Sequence, residues 1–309
     1  MTVPTPPGEP PRSTRAAVLI PFGIVTLIWG STWLVIHDQI AVVPPSWSVT
    51  YRFLTAGVAM LITALIRRER IALDWAGWRF ASVLGLMQFC LNFNFVYRAE
   101  HFVTSGLVAV VFALLLVPNA VFARVFLGQR MGRQLLIGSG VAMAGVFLLF
   151  LREARVAAHG PAPVLAGVGF TLAGVLAASI ANVMQATRTA VRYPMATMLG
   201  IGMLVGAGVD AGYAWVTAGP PVIEMRWGYV LGVLYLGLVA SALAFSLYFR
   251  LIRTIGPAKA AYNSVIVPVI AMVLSTIFEG YRWSWLAAGG AALAGAGLVI
   301  ALRARRPNR

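Results

Sequence analysis

Ten apolar runs divide the chain, at 17–36, 47–66, 79–97, 103–126, 134–151, 163–185, 195–217, 229–250, 258–278 and 284–302, with short polar breaks between them. Each is close to the roughly 20 residues that a helix needs to cross a hydrocarbon core. That length, in place of alternation over about ten residues, predicts membrane helices and not a barrel. One stretch occurs twice. Moved by 150 residues, Thr104 to Leu148 lays Val117-Pro118 on Val267-Pro268, and Thr104, Gly106, Leu136, Gly140, Ala142, Ala144, Gly145 and Leu148 on identical residues. Both copies are an apolar run with a central proline, a polar break (Gln129-Arg130, then Glu279-Gly280-Tyr281-Arg282) and a Gly/Ala-rich run. A repeated pair of helices in corresponding places predicts a chain of two related halves.

Composition agrees with this pattern: of 309 residues, 60% are hydrophobic and 11% charged, against about 25% charged in soluble domains. The formal charge of +15 would suggest nucleic acid in a soluble protein; here its distribution assigns it to topology, and no nucleic-acid partner is expected. With the amino terminus inside, eighteen of the 24 Lys and Arg fall in inside segments and five outside, with Arg52 within the second run. That bias predicts both termini in the cytoplasm. Five runs per half is an odd number, so the second half enters the membrane inverted. The expected organisation is a disordered cytoplasmic tail at 1–16, repeats at 17–151 and 163–302, and a basic tail at 303–309. The first run is long enough to span and no cleavage site follows His37-Asp38, so it is read as a retained helix and not a signal peptide. Seven of the nine tryptophans, Trp47, Trp75, Trp78, Trp215, Trp227, Trp283 and Trp285, fall at run ends, where indoles favour the headgroup boundary. The single cysteine, Cys90, forms no disulfide framework and no thiolate metal site.

Trp29-Gly30-Ser31-Thr32, Arg52-Phe53, Pro118, Pro268 and Phe278-Glu279-Gly280, in this order and with glycine patterns after each break, resemble the EamA-type members of the drug/metabolite transporter superfamily over residues 17 to 303. The resemblance is greatest to bacterial aromatic amino-acid exporters. It implies an all-α membrane protein of ten helices in two inverted repeats, exporting amino acids or other small metabolites across the inner membrane, with no cofactor. Gln129 stands where the family's first half usually has a glutamate.

Polar side chains inside a bilayer are costly and belong against other helices or a wet cavity. Gln88 and Asn92 share one helical face, as do Ala178, Asn182 and Gln185. Each amide is either a cavity ligand or glue between helices; Gln185, near a run end, is the more solvated. Trp29 and Trp33, one turn apart, are candidates to stack on a substrate or hold an ammonium, as are Tyr235, Ser246, Tyr262 and Asn263 to line its path. Pro118 and Pro268 kink their helices in equivalent places and are candidate hinges. Asp210, the carboxylate deepest in a run, lies roughly 7–8 Å below the outer boundary, where it either couples to protons or is merely hydrated or paired. Arg52, five residues from Trp47, is expected to snorkel outward in a structural role. Gly202/Gly206, Gly208/Gly212 and Ala287/Ala291/Gly295 predict close helix packing within a monomer or a weak homodimer.

His37, His101 and His159 sit at run ends or in loops, which argues against a shared metal. No phosphate-cradling Gly-rich loop with its lysine is present, so ATP is not expected to drive movement. An enzyme acting on a lipid carrier would need converging carboxylates, whereas Glu69, Asp74, Glu100, Glu153 and Glu224 are scattered singly. The chain therefore reads as a secondary transporter with alternating access, facilitated more than proton-coupled given its few carboxylates. Efflux of amphiphilic drugs is the alternative.

Overall fold

The computed structural model describes residues 12–128, 133–156, 160–255, 257–260, 263–278 and 280–302. Gln129, His159, Tyr262, Glu279 and the 303–309 tail lie outside them. The helices are α1 (Arg12–Gln39), α2 (Pro45–Ile66), α3 (Trp75–Ala99), α4 (Ser105–Leu127), α5 (Arg133–Val156), α6 (Pro161–Gln185), α7 (Met195–Ala218), α8 (Trp227–Ile255), α9 (Asn263–Phe278) and α10 (Trp285–Leu302). Short helices Arg188–Arg192 and Pro257–Ala260 precede α7 and α9. Seven helices are long and apolar enough to cross a membrane, and α5, α9 and α10 hold shorter apolar stretches within their described residues. The local signals are ordinary ones. Pro45 and Pro161 open their helices, where the missing N–H costs nothing. Asp74 caps α3, and Gly128 ends α4 at φ +66°, a conformation that suits glycine. α1 starts at Arg12, inside the expected tail.

Large apolar side chains such as Leu27, Leu54, Ile62, Val125, Phe126, Val216 and Ile277 face outward. Arg52, Asp210, Gln88, Asn92, Asn94 and Asn182 are buried. This reversal suits a hydrocarbon surround, which rewards no segregation of Leu from Phe but penalises every unpaired polar group. Six of the seven end tryptophans are exposed; Trp47 is buried and donates its indole N–H to the Gly219 carbonyl at 3.3 Å. It pins a loop instead of marking the headgroup boundary.

The strongest packing is between the halves. α2 lies along α7 and α5 along α10; α1 packs on α8 and α9, α6 on α3 and α4, α3 on α7, and α2 on α8. Exchanging each helix with the one five places on returns the same set of pairs, a two-fold relation between repeats. Glycines let these backbones meet. A methyl on Gly145 would overlap the backbone of Ala294 and Gly290, and one on Gly297 would overlap that of Ala142 and Gly138. These two sets are related by 152 residues (145 to 297, 142 to 294, 138 to 290). Across α2 and α7 the equivalent contacts, Gly57 on Leu204 and Gly200 on Leu61, are related by 143 (57 to 200, 61 to 204). The uniform shift of 150 read from sequence identity therefore does not hold throughout, because the loops of the two halves differ in length. Gly202 and Gly206 pack on α3 as expected, while Gly208, Gly212 and Gly295 face open space. The α10 contact line is instead Gly290, Ala294 and Gly297.

Equivalent irregularities recur in each half. Residues Gly85–Leu91 of α3 and Tyr235–Leu243 of α8 wind as π-helix. Residues Ala113–Leu115 of α4 tighten to a 3-10 turn just before Pro118, whose missing N–H cannot bond the carbonyl one turn back.

At one end of the bundle Asp74 joins α3 to α7, accepting from Gly77 N–H at 2.8 Å, the Tyr193 hydroxyl at 2.5 Å and Arg192 at 3.0 Å. The Tyr193 hydrogen bond first, then the Gly77 amide and the charge of Arg192, hold its carboxyl below the ordinary range.

Gly145→Ala is expected to destabilise the protein by about 1–3 kcal/mol through backbone overlap, while Gly140→Ala, with open space around it, stays within about 0.5 kcal/mol; thermal unfolding in detergent compares them. A carboxyl with a depressed native pKa adds stability above its unfolded value of about 4 and loses it as pH falls through the native value. The melting temperature should therefore drop more between pH 5 and pH 2 (chosen to bracket that value of about 4) in the parent protein than in Asp74→Ala. Parallel pH profiles would reject this role for the cap.

Candidate functional site: a cavity between the repeats

A cavity lies at the centre of the bundle, and the empty space inside it and in its open mouth together comes to about 770 Å³. Its wall draws on α1, α2, α3 and α4 of the first half and on α6, α8 and α9 of the second. The wall is largely aromatic. The Trp29 ring meets Tyr248 at 4.8 Å and Phe245 at 5.2 Å, and Trp33 meets Phe112 at 5.9 Å between centroids. Phe93 and Phe245 complete it, 6.2 Å apart. The Trp29 indole donates to the Ala240 carbonyl at 3.1 Å, within the π-helical stretch of α8, which fixes its ring in the wall.

Set into this wall are polar groups without protein partners. Trp33 Nε1, Gln88 Oε1, Asn92 Oδ1 and both amide atoms of Asn263 are buried without a hydrogen bond among the described residues, and the side chains carrying them all line the cavity. Asn182 lines it too and is 2% exposed. Buried polar atoms are ordinarily paired, because each unpaired one costs about 1–3 kcal/mol. Four orphaned groups around one void therefore point to something that enters and bonds them.

The candidates read from sequence thus divide. Trp29, Trp33, Gln88, Asn92, Asn182, Asn263 and Pro268 meet around the cavity. Tyr235 instead holds α8 to α1, its hydroxyl 2.6 Å from Ser31 Oγ. Ser246 bonds the Ala242 carbonyl of its own helix at 2.7 Å, and half-buried Pro118 sits away from the wall. Asp210 is fully buried; its Oδ1 accepts from Asn94 Nδ2, and Asn94 Oδ1 in turn accepts from Ser46 at 3.0 Å. It does not line the cavity.

Arg52 departs most from its sequence reading. It does not snorkel; it is 1% exposed and lines the cavity. Phe93, Phe112, Phe245 and Tyr248 were missed as well. Hydropathy carries no signal for them, since an inward phenylalanine and a lipid-facing one are equally apolar.

The chain is 24% identical to Protein PagO of Salmonella typhimurium, over 87% of this chain and 88% of that protein. It is 30% identical to the inner membrane transporter YedA of Escherichia coli K12, itself uncharacterized, over 85% and 84%. It is 26% identical to a probable amino-acid metabolite efflux pump of Salmonella typhimurium, over 93% and 96%. A crystal structure sharing 22% identity superposes with a TM-score of 0.69, covering 96% of this chain and all of the other, which shows a shared fold. The EamA-like transporter family matches twice, at residues 18–151 and 165–303; two copies of that unit make this multi-pass membrane protein a member of the EamA-like transporter family.

Proposed function

We propose that the protein exports amino acids or related small metabolites across the bacterial inner membrane by alternating access, as a facilitator, with ten crossings and both termini in the cytoplasm. The observation that carries this reading is the cavity between the repeats, walled by both halves and holding unpaired polar groups among fixed aromatic rings. Such a void suits a small molecule with a polar head and an apolar body. The efflux pump among its relatives is named for amino-acid metabolites, in keeping with that chemistry.

Binding and release from opposite faces require the wall to part first at one end and then at the other. Toward the end of α1, Asp38 pairs at 2.8 Å with Arg226, the residue before α8, Gln39 accepts from Tyr97 of α3 at 3.2 Å, and the Trp33 carbonyl accepts from Ser105 of α4 at 3.3 Å. These polar ties join the helices around the cavity and would break for it to open there. Pro268 of α9 lies in the wall itself, a position where bending would change the cavity's shape. Proton coupling has little support, since the buried carboxylate Asp210 lies off the wall.

A second reading, efflux of amphiphiles, is favoured by one observation. An apolar pocket between α4, α9 and α10, about 570 Å³ with its open part included, is lined by Val110, Met272, Trp283 and Ala291 and shares Ala113 and Pro268 with the central cavity.

In proteoliposomes loaded with a panel of amino acids and amphiphilic drugs, amino-acid efflux down its gradient should proceed equally with and without an imposed pH gradient. Asn182→Ala and Trp29→Ala should each slow it about tenfold, the cost of one lost polar or stacking contact of about 1.4 kcal/mol. Efflux of drugs alone would replace the amino-acid reading with the second one. Strict dependence on the pH gradient would remove facilitated movement.

A further inference from the structure

Arg52 is a buried cation without an anion. Its side chain is 1% exposed, on α2, and faces the central cavity. Nε donates to Ser241 Oγ at 2.9 Å and Nη1 to the Tyr97 hydroxyl at 3.5 Å; it forms no ion pair among the described residues. A guanidinium has five N–H donors, so these two neutral partners leave three unused. The group is held in place besides: its carbon lies 4.3 Å from the Phe93 ring centre and 5.3 Å from that of Phe53. Tyr97 is oriented in turn by donating to Gln39. A permanent charge buried in a low-dielectric interior is very costly unless paired, yet here the fixed partners are a serine, a tyrosine and two ring faces. The remaining surface of the guanidinium belongs to whatever fills the void.

We infer that Arg52 receives the carboxylate of the transported molecule, and that the neighbouring amide oxygens and ring faces receive its ammonium and apolar side chain. The inference rests on the export reading above and names its substrate class: zwitterionic amino acids with apolar or aromatic side chains, in preference to amines and uncharged amphiphiles. Arginine suits the task because its planar fork meets both carboxylate oxygens at once. The orphaned Gln88 Oε1 and Asn92 Oδ1 are acceptors for an ammonium, and the Asn263 amide bonds either end. The faces of Trp29, Phe245 and Tyr248 meet an aromatic or branched side chain. Recognition at both ends by groups that stay unpaired without the ligand also gives discrimination, since an analogue lacking the carboxylate leaves the guanidinium buried and uncompensated.

The test measures equilibrium binding to the full chain in lipid nanodiscs, by tryptophan fluorescence and calorimetry, for phenylalanine, tryptophan, leucine and valine and for the carboxamide of each. At least one amino acid should bind about tenfold or more tightly than its carboxamide, the worth of a charge-assisted hydrogen bond. Arg52→Gln should bring the pair to equal affinity, and Arg52→Lys should keep part of the preference. Thermal unfolding and gel filtration check that each variant is folded; if Arg52→Gln is not, Arg52→Lys against the parent decides. Equal affinity for acid and carboxamide in the parent protein, a preference that survives Arg52→Gln, or no binding of any amino acid would overturn the inference. An Arg52-dependent preference without transport in proteoliposomes would sink the export reading and leave this one standing. Transport of amino acids at a rate and preference unchanged by Arg52→Gln would do the reverse.

Discussion

Backbone-to-backbone contact between the two repeats is the constraint on which the rest of the molecule depends. In hydrocarbon no hydrophobic effect drives helices together, so they associate where small residues allow their main chains to approach and dispersion and polar contacts to accumulate. Gly145, Gly290 and Gly297 do this between α5 and α10, Gly57 and Gly200 between α2 and α7, and Gly85 and Gly206 between α3 and α7. Every one of these contacts joins one repeat to the other. The halves are interlocked, and neither half's helices form a separate bundle. In the alternating access proposed above, α2 with α7 and α5 with α10 would move as pairs more readily than the halves as whole bodies.

The interlocking also explains where the void is. With α2–α7 and α5–α10 packed tightly at the flanks, α1, α3, α4, α6, α8 and α9 surround the middle, and Arg52 reaches into it from α2. The π-helical turns of α3 and α8 belong to this region: they contain Gln88 of the wall, the Ala240 carbonyl that fixes Trp29 and the Ser241 hydroxyl that receives Arg52. Departures from the α-helical bond pattern of this kind are frequent at functional sites. Here they turn side chains and carbonyls toward a place that a regular helix would leave apolar.

Burying Arg52, Asp210 and several amides in one bundle is unfavourable for folding. Asp210 is partly compensated through Asn94 and Ser46, a chain that binds α7 to α3 and α2 and has no opening to the cavity. Its setting is that of an interhelical clamp. Gln88 Oε1, Asn92 Oδ1 and the Asn263 amide border the cavity instead, and the physical distinction between clamp and site is that a ligand can reach these groups and cannot reach Asp210.

The sequence determined the class of molecule and its plan. Runs of about 20 apolar residues can only be helices in lipid, and a proline-centred pair of runs found twice implied duplication. Trp29, Trp33, Gln88, Asn92, Asn182 and Asn263 were also legible, because a polar or indole group within an apolar run stands out against its neighbours. Tertiary structure alone decided which way each group faces. Lipid and core are both apolar, so hydropathy has no inside and outside along a membrane helix: Phe93 and Phe245 reach the cavity while Phe126 and Phe147 reach lipid. Arg52 looked like a snorkelling arginine because depth along one helix was all that could be read. Its burial is set by Tyr97, Ser241 and Phe93 from two other helices, and proximity across helices is a property of the packed bundle.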